Sequence, residues 1–117
     1  MFGEVLERWL EALLATPGLT AIADPAEAHR VLVEDALRAT SLVRSTRGPV
    51  VDVGSGGGSP GIPLAATLTE LAFTLLEAER RKCEFLREAT TGLANVEVVW
   101  GRRNPDSPSR FVTPRVP

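Results

Sequence analysis

The chain has 117 residues, a length that admits one domain at most. A hydrophobic content of 44% with a mean hydropathy of +0.04 excludes a disordered polypeptide, and a net charge of −2 gives no overall attraction to nucleic acid. The apolar runs are short and Glu4, Glu7 and Arg8 break up the N-terminus, so no membrane span or secretory signal is present and a cytoplasmic protein is expected. The single cysteine, Cys83, rules out an internal disulfide or a cysteine-based metal site.

In chain order, Phe2, Val5, Leu6, Trp9, Leu10, Leu13 and Leu14 recur at helical spacing, which predicts an amphipathic helix over residues 2–15, ended by Pro17 and Gly18. Trp9 reads as a core residue. Asp24, Pro25 and Glu27 form a capping residue, a first-turn proline and a carboxylate three places on, which predicts a second helix running to about Val43. His29 in that helix has no partner cysteine or second histidine, so it reads as a surface or packing residue. Ser45 to Gly48 is a linker.

Val50 to Val53 is β-branched and apolar except for Asp52, the composition of a parallel strand covered on both faces. Gly54, Gly56, Gly57 and Gly58 follow, residues that can take positive φ and let a ligand approach the backbone. Pro60 or Pro63 suits the first turn of a helix from about Pro60 to Leu68. A second strand from Leu71 ends at Glu77, a helix is expected from Glu79 to Thr90, and after a turn at Gly92 a third strand covers Val96 to Trp100. Cys83, beside Phe85 and Leu86, reads as a structural thiol. Arg80, Arg81, Lys82 and Arg87 lie among Glu77, Glu79, Glu84 and Glu88, so a solvated, ion-paired helix face is preferred to a phosphate site. Beyond Gly101 the arginines 102, 103, 110 and 115 outweigh Asp106, and no helix or strand period is visible.

The order is two helices followed by β-α-β-α-β, whose short connections imply a parallel α/β sheet. Three strands in the order 3-2-1 are half of a doubly wound sheet, with the first strand an open edge through which the chain is expected to self-associate or to act as a non-catalytic interaction module.

Two cofactor classes fit the glycine-rich turn. Asp52 to Gly58 has the acidic-x-Gly-x-Gly-x-Gly form of S-adenosylmethionine methyltransferases. Gly56, Gly58 and Gly61 match the dinucleotide fingerprint of an NAD-type binder, but that register leaves Gly54 unused and puts Pro60, which lacks an amide, into the phosphate turn. Glu77 could accept both ribose hydroxyls of either cofactor, and it equally suits a helix N-terminus favoured by the dipole.

The run from Asp52 through Pro60-Gly61-Ile62-Pro63-Leu64 to Ala65, with Leu19 to Ile22, Asp24-Pro25, Val33 to Leu37, Phe73 to Glu77, Arg81-Lys82, Phe85 to Arg87, Asn95 to Val99 and Gly101-Arg102, resembles the bacterial small-subunit ribosomal RNA guanine-N7 methyltransferases, the glucose-inhibited division protein B family. The resemblance covers about Leu19 to Gly101. It implies the N-terminal half of a Rossmann-like S-adenosylmethionine methyltransferase fold with an incomplete sheet, and an N-terminal helical segment over 1–48, a partial cofactor domain over 49–102 and an irregular tail over 103–117. It implies S-adenosylmethionine as cofactor, 16S rRNA or the small ribosomal subunit as partner, Gly54 and Ser59 as cofactor contacts, Gly56 and Gly58 as shapers of the turn, and Glu77 at the ribose. Catalytic residues remain unassigned and no metal is expected.

Three positions depart from the family. Ser59 replaces an apolar residue, and Arg103-Asn104 stands where an Ala-Glu pair abuts the adenine. The abrupt change after Arg102 leads to the expectation of a truncated or frameshifted chain with little or no activity and weak cofactor binding.

Overall fold

A computed structural model describes residues 2–107 and 111–112. Helix α1, Phe2–Ala15, buries Val5, Leu6, Trp9 and Leu13 along the predicted stripe. It stops where Gly18 adopts φ +84°. Helix α2, Pro25–His29, begins as expected, with the Asp24 carboxylate accepting the Glu27 amide at 2.9 Å and proline in the first turn.

The predicted single helix to Val43 is interrupted. After α2 the chain passes through a π-helical turn, Arg30–Glu34, into a short α3, Asp35–Leu37, and a separate α4, Thr40–Ser45. Between the last two, Arg38 and Ala39 bond to Asp35 and Ala36 three residues back, and the Thr40 hydroxyl donates to the Leu37 carbonyl at 2.6 Å. A hydroxyl competing for a helix carbonyl and a tightened turn together break the α-helical ladder.

Strands β1, Val50–Val53, β2, Phe73–Glu77, and β3, Val96–Trp100, form a parallel sheet in the order β1-β2-β3. The register pairs Val50 with Phe73 and Phe73 with Val96. Helices α5, Gly61–Thr67, and α6, Arg80–Ala89, make the crossovers, each slightly shorter than its sequence pattern suggests. One core joins α1 to the sheet through Trp9, Leu13, Ile62, Leu75 and Leu86, and a second cluster of Leu64, Leu68, Leu71 and Phe73 closes the other end. Central strand β2 buries Phe73, Leu75 and Leu76, as a strand covered on both faces must.

Strand β1 differs from that expectation. Val51 and Val53 are 42% and 56% exposed, because among the described residues β1 has a neighbour on one side only and none covers the face that carries them. The tail also departs from the irregular reading. Arg102–Arg103 forms β4 and pairs antiparallel with β5, Phe111–Val112, in a two-stranded ladder too short to leave a strand period in the sequence.

Candidate cofactor site

The turn between β1 and α5 lies at the carboxyl ends of adjacent parallel strands, where open α/β sheets hold their ligands. Its first residues are tied to β2, since the amides of Gly54 and Ser55 both donate to the Leu76 carbonyl, at 2.8 and 3.1 Å. The Ser55 hydroxyl donates back to the Asp52 carbonyl at 2.9 Å, and the Gly58 amide closes the turn on the Ser55 carbonyl at 2.8 Å.

The glycines of this segment fall into two groups. Gly54 and Gly56 have φ of +71° and +56°, and a Cβ on Gly54 would meet nothing within 4 Å, while one on Gly56 would meet only the Gly54 carbonyl at 3.9 Å. A Cβ on Gly57, Gly58 or Gly61 would instead lie 2.6 Å from Leu13, 2.5 Å from Ile62 or 2.5 Å from Leu75. The first pair leaves an open cradle of backbone that a ligand can approach. The other three are glycines because protein fills the space.

Glu77 ends β2 beside this cradle and is only 7% exposed. Its Oε1 accepts the Gly56 amide at 2.8 Å and its Oε2 accepts the Glu79 amide at 2.7 Å, so it joins the glycine turn to the start of α6. Its backbone carbonyl accepts the Gly101 amide at 2.9 Å and the Cys83 thiol at 3.2 Å. Glu77 thus stands next to the turn and at a helix start, with both carboxylate oxygens bonded to backbone amides.

Asp52 is the acidic residue of the motif, and its Oδ2 accepts the Gly61 amide at 3.2 Å at the head of α5. Burial pushes its carboxyl above the ordinary value of 3.8, against the pull of that amide and of Ser55, and the charge of Glu77 adds to the rise. Ser59, expected to face a cofactor, donates its hydroxyl to the Leu32 carbonyl in the π-helical turn at 2.9 Å. Gly54, Gly56, Gly58, Ser59 and Glu77 are therefore brought together, each already hydrogen-bonded within the protein, and only Gly54 and Gly56 have open space beside the backbone.

Sequence reasoning gave Trp9 to the core and missed its second role. Its Nε1 donates to the Gly57 carbonyl at 2.8 Å. Apolar spacing locates the ring but carries no information on where its N–H points. A groove of about 550 Å³ opens between α1 and α6, lined by Arg8, Ala12 and Phe85 among others, and shares Trp9 with the turn.

The remaining candidates are structural. Arg80 pairs with Glu84 at 3.4 Å and lies 5.7 Å from the Trp100 ring centroid, and Lys82 pairs with Glu79 at 2.9 Å, which raises the lysine pKa. The ion-paired helix face expected from sequence is what forms. Arg102 and Arg103 lie exposed on β4, and Arg110 and Arg115 fall outside the described residues. Burial of the Cys83 thiol raises its pKa, so it stays protonated and inert at neutral pH. His29 sits 3.9 Å from Glu34 on the surface, and no group of three metal-ligating side chains occurs among the described residues.

A family match to GidB, described as rRNA small subunit methyltransferase G, spans residues 4–115, beyond both ends of the stretch on which the sequence resemblance rests. Among curated proteins, the chain is 42% identical to the ribosomal RNA small subunit methyltransferase G of Methylococcus capsulatus, over 86% of this chain and 47% of that protein. The proteins of the same name from Laribacter hongkongensis and Marinobacter nauticus are each 38% identical, over 92% and 97% of this chain and 50% and 53% of their own length. The chain thus spans about half the length of the curated relatives it matches. An acidic strand end, an open glycine cradle and a family match that takes in both place the chain in the rRNA small subunit methyltransferase G family.

Proposed function

We propose that the turn from Gly54 to Ser59, with Glu77 beside it, binds S-adenosylmethionine, and that the chain serves methyl transfer to a guanine N7 of 16S rRNA in the small ribosomal subunit. The observation that carries this reading is the hydrogen bond from the Gly56 amide to Glu77, which joins the acid at the end of β2 to the cradle at the end of β1. The cradle is open at Gly54 and Gly56, and the Glu77 carboxylate borders it through the Gly56 amide. Both features fit an adenosine cofactor.

The cofactor would supply a methyl group from its sulfonium. Guanine N7 offers a lone pair and carries no proton, so the chain's residues need no general base and contribute alignment and exclusion of water. The two carboxylates at the turn, Asp52 and Glu77, accept backbone amides, and that chemistry asks neither to act as a base. A substrate on the ribosome also points to the cytoplasm as the place of action, and no helix among the described residues is long and apolar enough to cross a membrane.

The open edge of β1 favours a second reading beside the first. Exposed Val51 and Val53 on a strand edge that no described residue pairs support self-association through β1. Sedimentation of the chain over a range of concentrations tests it, with Val53→Lys expected to shift the distribution toward monomer and an unchanged distribution counting against it.

Calorimetric titration with S-adenosylmethionine and S-adenosylhomocysteine, with NAD as comparison and Gly54→Arg as control, tests the cofactor reading. Binding of both sulfur compounds, abolished by the arginine and absent for NAD, is the expected result and leads to a methylation assay on small subunits. Preference for NAD would replace the reading with a dinucleotide site.

A further inference from the structure

The glycine turn is held by a neighbour that neither its own strand nor its own helix supplies. The indole Nε1 of Trp9 donates to the Gly57 carbonyl at 2.8 Å, a contact across 48 positions of sequence. The same peptide unit carries the Gly58 amide, which donates to the Ser55 carbonyl at 2.8 Å. Because a peptide unit is planar, with its C=O and N–H opposed, these two bonds fix the orientation of the Gly57–Gly58 plane from both ends. A glycine on each side of that plane leaves the backbone itself free to turn it over, so its neighbours must hold it.

Packing enforces the same orientation. Leu13, one turn along α1, occupies the position of a Cβ on Gly57, and Trp9 Nε1 lies 3.0 Å from the position of one on Gly58. Trp9 itself is 1% exposed, so water cannot readily replace its bond. Helix α1 thus fills one side of the turn, and the opposite side, at Gly54 and Gly56, is the open one.

We infer that Trp9 is a positioning residue for cofactor binding: its indole N–H locks the Gly57–Gly58 peptide plane and so presets the cradle that receives the cofactor. The inference rests on the proposal that the turn binds S-adenosylmethionine, and it makes α1 a working part of that site. Losing the N–H should leave the core filled and the fold intact while loosening the turn.

The test compares the unsubstituted chain with Trp9→Phe, and with a chain carrying benzothienylalanine at position 9, in which sulfur replaces only the N–H of a ring of the same shape. Should the smaller phenylalanine ring unfold the protein, the isosteric ring still answers the question. Amide hydrogen exchange of the ligand-free protein is expected to quicken about tenfold across residues 54–62, the order set by one sheltered neutral hydrogen bond, with β2 and α6 unchanged. The dissociation constant for S-adenosylhomocysteine is expected to rise by about the same factor. Unchanged exchange in the turn overturns the inference, as does equal affinity when exchange has quickened. If the unsubstituted chain binds no S-adenosylhomocysteine, the cofactor reading itself falls and the inference with it, and the exchange arm then shows separately whether Trp9 holds the turn.

Discussion

Glu77 Oε1 holds the Gly56 amide at 2.8 Å although the two residues are 21 positions apart, and through this bond the end of β2 sets the shape of the turn that follows β1. The other carboxylate oxygen holds the Glu79 amide at the head of α6. Removing the side chain should therefore weaken fold and site together. Glu77→Ala is expected to cost about 2–3 kcal/mol, the scale for stranding two amides that donate to a charged acceptor. Glu77→Gln, which keeps one acceptor oxygen, should cost at least about 1 kcal/mol. Urea midpoints with unchanged slopes measure both. A Glu77→Ala variant as stable as the parent would mean that the two bonds contribute nothing net.

Asp52 gives the protein a pH dependence of definite sign. Burial raises its carboxyl above 3.8, so in the window just above that value the folded state holds a proton that the unfolded state has lost. Stability contributed by this group therefore falls as pH rises from 3.8 through the raised folded value, and is level beyond it. Asp52→Asn keeps an acceptor for the Gly61 amide and abolishes the titration. The stability difference between Asp52→Asn and the parent should move in favour of the variant as pH rises through the window. Urea melts of both proteins at intervals between pH 4 and 7 would reveal a flat difference if the group were unperturbed.

The two groups of glycines predict opposite behaviour. Gly58 has φ +112° and its Cβ would meet Ile62 at 2.5 Å and Trp9 at 3.0 Å, so Gly58→Ala should destabilise by about 2–4 kcal/mol through strain and overpacking. Gly54, at φ +71° with open space around it, should lose only about 1–2 kcal/mol as alanine. Binding should show the reverse ranking per unit of stability lost, since the Gly54 methyl would project into the cradle. Parallel urea melts and S-adenosylhomocysteine titrations of the two variants decide the matter.

Asn95 closes the far end of the first crossover. Its Nδ2 lies 3.0, 3.2 and 2.9 Å from the carbonyls of Ala65, Leu68 and Leu71, which gathers the end of α5 and the entry to β2 around the residue just before β3. Asn95→Ala should cost about 2 kcal/mol and lower Tm by about 10 °C. Asn95→Asp should be worse, because a carboxylate would face three carbonyl oxygens. Thermal melts of the two variants check both the size and the order.

The elements that depend on repeating apolar spacing were legible in the sequence. Helix α1 and strand β3 have the predicted limits, and the strand order follows from short crossovers. Features set by one polar atom were not. The Thr40 hydroxyl that helps to break the second helix, the Trp9 N–H that meets Gly57 and the Asn95 amide that gathers three carbonyls all depend on direction, and spacing records only position. Val51 and Val53 misled for a different reason. β-branched composition announces a strand suited to cover on both faces, whereas cover depends on what stands next to it. At the site, the glycines and Glu77 were readable as a group, while their division into packing and open positions depends on side chains of α1, α5 and the sheet that reach them only in the fold.

The π-helical turn Arg30–Glu34 also bears on how this helix can change in length over evolution. A π turn accommodates one residue more than an α-helical turn, and it presents the Leu32 carbonyl to the Ser59 hydroxyl. A one-residue deletion here would regularise the helix without turning the residues on either side of it to a new face, and would withdraw the Leu32 carbonyl from Ser59. Relatives that lack the extra residue should therefore keep small or apolar residues at positions 28 and 36, on either side of the turn, and carry a non-hydroxyl residue at position 59 with no carbonyl to meet.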